Sequence, residues 1–430
     1  MTSYEILCLL SALSLVISLI SSRLHRWQDT ITITALALLL SLLILAAGKV
    51  FGVSVYSSLV TDLEQLDFKA LLLNGMLGFL LFAGALQIKL HVLKKQKWEI
   101  CILALIGTLI STVVIGGVLY WVAGLLGLPL AFSYCLLFGA LISPTDPIAV
   151  LAIIKQLGAP EDIATQVEGE SLFNDGIGLV IFVAISQVAF STEPLTMAGI
   201  TGLFLQEAVG GVLYGALLAG GLHFMLGFSE DRTQFLLMTL LIPTAGYVVA
   251  DMIGVSGPLA MVTSGIIAGN LSIPKLLKES ECVTLESFWG LIESFFNSLL
   301  FLLLGLLLLL IDFDAELWWF MLLSVPIVLL GRVVSIYLPY LGFRRVKRYN
   351  SYAERILVWG GLRGGLALAM AMSLPTGIML ADSNSIDLRE LLMVMTYAVV
   401  VFSILVQGTT IPSLIDKSNA EEEDKRAGEL

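Results

Sequence analysis

The stretch GESLFNDGIGLVIF, residues 169–182, decides the fold, because it sets three polar side chains beside an apolar run. Glu170, Asn174 and Asp175 lie close together, and the residues that follow are apolar enough for the middle of a bilayer. An aspartate at the centre of a membrane helix costs about 2.5–3.5 kcal/mol on insertion scales. If this run crosses a membrane, its carboxylates therefore need a cationic or hydrogen-bonding partner, or a functional role.

The composition indicates an integral membrane protein. The chain has 430 residues, of which 58% are hydrophobic and only 13% charged, whereas soluble domains carry about 25% charged residues. Residues 1–20 contain Glu5 but no Lys or Arg, and a cleaved signal peptide begins with a positively charged region. We therefore expect the first apolar run to be retained as a membrane span.

Thirteen segments are candidates for membrane spans, each of which takes about 20 apolar residues. The prediction is an all-α polytopic membrane protein with 13 transmembrane helices. The boundary between the eighth and ninth segments is the hardest to place, because the sequence VSGPLA interrupts the pattern there. The predicted spans lie near residues 4–22, 30–48, 68–88, 100–124, 131–154, 168–190, 200–226, 233–250, 256–270, 287–311, 317–341, 354–374 and 390–412.

Basic residues concentrate on one of the two sides that thirteen alternating spans create. Lys49, Lys69 and Arg389 fall on the other side, and Arg332 and Arg363 fall inside spans. Because cytoplasmic loops carry an excess of Lys and Arg, we expect the N-terminus outside and the C-terminus in the cytoplasm. The cytoplasmic side then receives 18 of the 23 Lys and Arg, namely Arg23, Arg26, Lys89, Lys94, Lys95, Lys97, Lys155, Arg232, Lys275, Lys278, Arg344, Arg345, Lys347, Arg348, Arg355, Lys417, Lys425 and Arg426.

The cysteines and histidines indicate neither a disulfide framework nor a zinc site, because they are scattered without metal-ligand spacing. We expect no cofactor, no nucleic-acid partner and no soluble regulatory domain. Residues 416–430 are expected to form a short cytoplasmic tail, which ends in AEEEDKRAGEL (420–430), a solvated terminus without a fold of its own. The scattered residues are Cys8, Cys101, Cys135, Cys282, His25, His91 and His223.

Five ionisable side chains fall well inside predicted spans: Asp146, Glu170, Asp175, Arg332 and Arg363. Such residues persist in membranes mainly where they pair with each other or line a pathway. Three acids and two arginines leave one net negative charge. A single monovalent cation would neutralise this group.

Asp146 stands between two prolines in LISPTDPIAV, residues 141–150. Pro144 and Pro147 lack an N–H group, so each disturbs the helix and frees a carbonyl one turn earlier. Irregular backbone at bilayer depth is tolerated only where it is packed in protein or lines a cavity. A simple proline kink with Asp146 reaching for water is the alternative, but the side chain is short for that depth. We expect an interrupted helix that lines an ion pathway.

The opening stretch pairs its polar residues at helical spacing. Ser171 and Asp175, and likewise Glu170 and Asn174, are four residues apart and share a helix face. The first pair offers a hydroxyl and a carboxylate, which suit Na⁺ or a proton. Glu170 is the candidate partner for Arg332, which lies too deep to reach either surface. The alternative, an ordinary helix start with acids in its first turn, does not account for Asp175.

Arg363 lies between two glycine pairs in WGGLRGGLALAMA, residues 359–371. Glycines weaken a helix and let backbones approach closely. Tight helix packing explains the glycines alone, whereas an unwound segment whose helix ends are neutralised by Arg363 explains both features. The spans of Asp146 and Arg363 are the fifth and twelfth, so they run in opposite directions, as an inverted-repeat transporter requires.

These blocks resemble those of the NhaP/NHE-type sodium–proton antiporters of the monovalent cation:proton antiporter superfamily. The motifs SPTDPIAV, GESLFNDG, GVSGPLA, FFNSLLFLLLGL, GGLRGG and VFSILVQGTTI stand in that family's order over nearly the whole chain. The resemblance implies an inverted-repeat, NhaA-like fold with two crossed, partly unwound helices. It also implies a homodimer in the lipid bilayer of a prokaryotic cell membrane. Residues 1–415 would form one transporter unit, with a core domain near 68–190 and 317–412, a dimerisation domain near 4–48 and 200–311, and the tail 416–430.

The resemblance further implies the roles of individual residues. Asp175 matches the family's ion- and proton-binding aspartate and Asp146 its second acid, with Thr145 and Ser171 as supporting ligands. Na⁺ would be held at Asp146, Ser171 and Asp175. Asn174 stands where electrogenic relatives carry an aspartate, which implies electroneutral one-for-one exchange. The supporting residues implied are Asn174, Glu170, Arg332 and Arg363.

The expected function is secondary active transport rather than catalysis. Na⁺ or Li⁺ would exchange for a proton by alternating access, the two competing for Asp175. Potassium–proton exchange is the alternative within the family, because Na⁺ and K⁺ use the same ligand types. Two rivals belong to other classes. An intramembrane aspartyl protease needs a GxGD-type loop, which surrounds neither aspartate, and a cation channel would conduct without coupling to protons.

Overall fold

The computed structural model describes residues 3–24, 28–51, 60, 63, 67–128, 130–191, 196–228, 232–311, 317–347, 349–380 and 386–428. Arg26 and Arg348, assigned above to the cytoplasmic side, lie outside these ranges. Over the described residues the fold is helical, apart from one isolated β-bridge between Met379 and Asp387. The predicted all-α class is confirmed.

Eleven helical segments of the described chain are long and apolar enough to cross a membrane. They confirm a multi-pass membrane protein. The fifth and twelfth predicted spans, 131–154 and 354–374, are interrupted helices instead, so the count of 13 spans stays a prediction. The eleven segments are Tyr4–Arg23, Asp29–Gly48, Ala70–Gln87, Lys97–Leu125, Asp162–Phe190, Ala198–Leu226, Gln234–Met252, Gly257–Leu276, Glu279–Leu310, Trp318–Phe343 and Leu388–Glu421.

The α-helices are numbered along the chain as follows: α1 Ser3–Leu24, α2 Asp29–Phe51, α3 Leu77–Gln87, α4 Leu90–Lys95, α5 Lys97–Ile102, α6 Thr108–Leu125, α7 Phe132–Ile142, α8 Ile148–Leu157, α9 Glu161–Phe190, α10 Met197–Leu226, α11 Arg232–Leu240, α12 Tyr247–Met252, α13 Gly257–Ile267, α14 Ile273–Leu276, α15 Glu279–Leu306, α16 Trp318–Phe343, α17 Ala353–Trp359, α18 Gly365–Met372, α19 Leu388–Phe402 and α20 Gly408–Gly428. Several spans contain a wider π-helical turn, a feature common at functional sites. These turns are Ala70–Met76, Leu103–Gly107, Ile242–Gly246, Ala268–Ser272 and Ser403–Gln407.

Both interrupted helices break where the sequence predicts. Residues 143–147, which include Pro144 and Pro147, are irregular between α7 and α8, and residues 360–364 are irregular between α17 and α18. The two irregular segments meet, because the Asp146 N–H donates to the Leu362 carbonyl over 2.8 Å. The chain therefore contains two partly unwound helices in contact at their breaks.

Close glycine contacts show which helices pack together. Gly139 of α7 abuts the Thr112 backbone of α6, and Gly305 of α15 abuts Ala37 of α2. Helix α3 lies against α13, where Gly265 meets Phe82 and Ala85, and it also packs on α15. The expected boundaries place α3 in the core domain, yet it packs chiefly on helices of the expected dimerisation domain. The division into two domains stays a prediction, and α3 fits its second part better.

The tail 416–430 is largely helical, including most of the segment AEEEDKRAGEL (420–430) that the sequence predicts to be a solvated terminus. Helix α20 continues from Gly408 to Gly428. The sequence AEEEDKRA consists largely of strong helix formers, and the Asn419 side-chain amide donates to the Leu157 carbonyl over 2.9 Å. That hydrogen bond ties the tail helix to the last turn of α8.

Candidate ion-binding site

Three buried polar side chains fix the first irregular segment against α9. The Asn174 carboxamide binds Thr145 twice, because its oxygen accepts from the Thr145 N–H over 3.2 Å and its nitrogen donates to Thr145 Oγ1 over 2.8 Å. Ser171 Oγ lies 3.0 Å from Thr145 Oγ1. Because an irregular segment loses helical hydrogen bonds, this network replaces some of them.

Asp146 lies at the crossing of the two irregular segments. Its Oδ1 accepts from the Ile148 N–H over 3.0 Å, which satisfies a free donor at the start of α8. Gly364 packs directly on the other oxygen, since a Cβ at Gly364 would stand 2.1 Å from Asp146 Oδ2. The absence of a side chain at Gly364 therefore leaves room for the Asp146 carboxylate.

Two arginines satisfy carbonyls at the breaks of the two interrupted helices. Arg363 donates from Nη1 to the Ser143 and Pro144 carbonyls over 3.1 and 3.2 Å. Arg332 donates to the Leu357 carbonyl from Nε and Nη2 over 3.2 and 2.9 Å. A cation at the C-terminal end of a helix is favourable because it opposes the helix dipole. Arg363 thus neutralises a helix end, as predicted.

Glu170 and Arg332 form the buried ion pair that the sequence predicts. The pair is bidentate, with Nη1 on Oε1 and Nη2 on Oε2 at 3.0 Å, and Glu170 is only 2% exposed. Bidentate geometry and the added bonds to Leu357 are the conditions under which a buried pair offsets its desolvation cost. The charge of Glu170 is therefore neutralised by a fixed partner, Arg332.

A cavity of about 230 Å³ opens onto Asp146 and Asp175. The two aspartates, from the irregular segment and from α9, thus come together on one cavity wall. Thr145 and Ser171 are not among the residues that line it; both lie just behind, each buried. The facing wall belongs to α3 and α15 and is mainly apolar, with Leu77, Leu80, Leu81, Gly84 and Leu300.

The cavity also contains polar residues that the sequence analysis missed. Glu168 lies on the wall of α9, and Gln87 and Glu293 lie on the facing wall, joined by a Gln87 Nε2 to Glu293 Oε2 hydrogen bond of 2.8 Å. Glu293 falls within the predicted span 287–311, so its position inside an apolar run was the available signal. The single negative charge counted from five residues therefore does not describe the whole cavity.

The chain matches known proteins over most of its length. Residues 40–417 match the family model described as sodium/hydrogen exchanger, transmembrane. The chain belongs to the sodium/hydrogen exchanger family. The resemblance to NhaP/NHE-type antiporters that the motifs indicated is confirmed.

Curated relatives and solved structures agree with this assignment. The chain is 39% identical over 411 residues to the Na⁺/H⁺ antiporter NhaP of Pseudomonas aeruginosa, with 94% of each chain covered. It is 34% identical to the Na⁺/H⁺ antiporter NhaH of Halobacillus aidingensis, over 90% of this chain and 95% of that one. The sodium–proton antiporter MjNhaP1 of Methanocaldococcus jannaschii is similar in structure, with a TM-score of 0.73, 18% identity, and 96% and 98% of the two chains covered. At 18% identity, this structural similarity shows only that the two proteins share a fold.

Proposed function

We propose that the protein exchanges one Na⁺ or Li⁺ for one proton across the cell membrane, without net charge movement, and that the two ions compete for Asp175. The observation that carries the proposal is the position of Asp146 and Asp175 on the wall of one cavity inside a membrane-spanning fold. Two carboxylates buried at membrane depth are more stable with a bound cation or proton than as two free negative charges. Membership in a transporter family favours transport over catalysis.

The charges next to the two aspartates support a one-for-one ratio. Glu170 and Arg332 neutralise each other, and Asn174 is uncharged. Arg363 binds carbonyls directly before Asp146, so Asp146, Asp175 and Arg363 together leave one negative charge. One Na⁺ or one proton cancels it. Glu168 and Glu293 lie at the cavity but are only half-buried, so water screens them.

The oxygen atoms near Asp175 suit a small hard cation. Thr145 and Ser171 share one hydrogen bond, and Thr145 Oγ1 also accepts from Asn174. A hydroxyl oxygen has two acceptor positions, so each of the two oxygens retains one lone pair for an ion when Thr145 donates the shared hydrogen bond to Ser171. In this proposal Na⁺ binds at Asp146, Ser171 and Asp175 with Thr145 in support, and Asn174 positions Thr145.

The contrast between the two cavity walls supports alternating access. The wall with Asp146 and Asp175 belongs to helices of the expected core domain, and the facing wall of α3 and α15 is apolar apart from Gln87 and Glu293. A charged core cannot slide past leucines cheaply, whereas a neutralised core can. In the proposed homodimer the α3–α15 side stays fixed. With the N-terminus outside, Gln87 and Glu168 lie toward the cytoplasm, so this cavity opens inward.

Purified protein in liposomes tests the proposal. Addition of Na⁺ or Li⁺ should drive proton movement in the opposite direction, and an imposed membrane potential should leave the rate unchanged. A rate that depends on potential contradicts the one-for-one ratio. Proton flux with K⁺ equal to that with Na⁺ favours the potassium–proton alternative, and Na⁺ conductance without proton movement would make the protein a channel.

A further inference from the structure

Two lipid-facing grooves flank helix α16, one near each end. The first, here called the basic groove, has a volume of about 480 Å³ and is lined by Val333, Tyr337, Arg355, Val358, Trp359 and Leu414. The second, the apolar groove, has a volume of about 520 Å³ and is lined only by uncharged side chains, among them Trp318, Pro326 and Phe402. The two grooves are similar in size, and only the basic groove carries a charge.

The basic groove lies along the C-terminal half of α16. Val333 and Tyr337 are the residues of α16 that line it, and they stand about ten and about six residues before the end of the helix, which corresponds to about 15 Å and about 9 Å. The hydrocarbon core of a bilayer is about 30 Å thick, so this part of α16 fits within one leaflet. In the proposed topology this is the cytoplasmic leaflet.

In the proposed topology the cationic end of the groove faces the cytoplasmic surface of the membrane. Arg355 is exposed and stacks over the Tyr352 ring at 5.5 Å. Two neighbouring basic residues already have acidic partners, since Arg344 pairs with Glu354 and Lys347 with Asp162. Lys417 is exposed and follows Leu414 by three residues, so it shares that face of α20. Arg355 therefore lines the groove, and Lys417 lies about one helical turn beyond its wall at Leu414.

The walls of the basic groove are held in place by contacts that need no ligand. Trp359 Nε1 donates to Thr410 Oγ1 over 2.8 Å, and the Gln407 side chain donates to the Trp359 carbonyl over 3.0 Å. These bonds join α17 to the start of α20 and to the π-turn before it. A groove whose walls are already fixed loses little entropy when a ligand enters.

We propose that the basic groove binds one anionic phospholipid of the cytoplasmic leaflet. An acyl chain lies along Val333, Val358 and Leu414, and the phosphate lies at Arg355 with Lys417 nearby. Basic pockets between membrane helices on the cytoplasmic side are suited to anionic headgroups. Because α17 forms one wall and leads into the irregular segment before Arg363, the lipid stabilises the half-helix beside the crossing. The proposal is independent of which ion is exchanged.

Lipid binding to the delipidated full-length protein, measured by native mass spectrometry, tests the proposal. Phosphatidylglycerol and phosphatidylcholine with the same chains are compared for wild type, Arg355→Gln and the matched control Lys94→Gln, an exposed lysine away from both grooves. Wild type and Lys94→Gln should bind phosphatidylglycerol about fivefold more tightly than phosphatidylcholine. Arg355→Gln should lose this preference, and Arg355→Lys should retain most of it.

Further measurements distinguish binding of the whole lipid from binding of its headgroup alone and from a general attraction of anionic lipid to the protein surface. Glycerol phosphate, which has no chains, should not displace phosphatidylglycerol at equal concentration. Leu414→Trp fills the groove and keeps Arg355. This variant should reduce binding of the first phosphatidylglycerol molecule at least as much as Arg355→Gln does. Equal lipid preference in Arg355→Gln and Lys94→Gln overturns the proposal, and so does displacement by glycerol phosphate.

Discussion

Two carboxylates on helix α9, Glu170 and Asp175, lie only five residues apart but have opposite surroundings. Glu170 is 2% exposed and binds Arg332 through both oxygens. Asp175 is 9% exposed and lines a cavity that it shares with Asp146. Both are costly to bury, but only Glu170 has a permanent partner.

This difference in surroundings distinguishes a carboxylate that stabilises the fold, Glu170, from one that can bind the transported ion, Asp175. A carboxylate with a fixed cationic partner cannot exchange that partner without stranding a buried charge. A carboxylate that faces a cavity can take up a proton or a cation and release it. Substitutions in these two regions should therefore fail in different ways, one in folding and the other in exchange.

The largest effect on exchange is expected for Asp175→Asn. An amide carries no negative charge to balance Na⁺ and takes up no proton in its place, so Na⁺-driven proton flux in liposomes should fall to the level of empty liposomes. The variant should still fold, because it loses no ion pair. The control is Asp162→Asn, the same change at an exposed aspartate of α9. Exchange that survives in Asp175→Asn would move the site elsewhere.

Arg332→Ala should instead lower the stability of the protein and the amount that folds. It strands Glu170 and leaves the Leu357 carbonyl unpaired, at a cost of about 3–5 kcal/mol. The expected result is a large loss of monodisperse protein and of thermal stability, measured by size-exclusion chromatography and melting. Adding Glu170→Gln to Arg332→Ala should recover part of the stability, because the uncompensated charge is removed. A well-folded Arg332→Ala variant with altered ion preference would place Arg332 in the transport site instead.

Gly364→Ala should damage exchange more than folding. The new Cβ would stand 2.1 Å from Asp146 Oδ2 and 2.8 Å from Asp146 Cβ, so the carboxylate must move, and a displacement of about 1 Å at a reacting group costs up to about a hundredfold. Overpacking of this kind costs about 1–3 kcal/mol of stability, so the Na⁺-driven rate of the folded protein should fall at least tenfold while the melting temperature falls by a few degrees. Gly117→Ala is the matched control, because nothing lies within 4 Å of its Cβ position. Equal rates in the two variants would remove Asp146 from the site.

The smallest effect is expected for Ser171→Ala. The change removes one hydroxyl oxygen and leaves both Asn174–Thr145 hydrogen bonds in place, a loss of about 1 kcal/mol or about fivefold in apparent Na⁺ affinity. The maximal rate should change little. Ser264→Ala, which removes a buried hydroxyl bonded only within α13, should leave Na⁺ affinity unchanged. An unchanged affinity in Ser171→Ala would take Ser171 out of the ligand set.

The sequence predicts those features that depend on local chemistry. Apolar runs mark the spans, Pro144 and Pro147 mark one break, and the glycine pairs around Arg363 mark the other. The Glu170–Arg332 pair was predictable because an arginine in mid-span must find an acid.

Features that depend on which faces of distant helices meet were not predictable. Glu293 and Gln87 face the cavity because α3 packs against α15, and no local pattern in either segment specifies that contact. The same applies to the place of α3 among the helices of the expected dimerisation domain. The tail helix is not evident from hydropathy because its sequence is charged, although its residues favour helix.

Calorimetric titration of Na⁺ into purified, detergent-solubilised protein at several pH values, in buffers of different ionisation enthalpy, tests competition at Asp175 most directly. The account predicts that each bound Na⁺ releases about one proton and that apparent Na⁺ affinity falls as the pH is lowered. Asp175→Asn should show neither effect. Na⁺ binding with the same affinity across the pH range, and without proton release, would contradict the account.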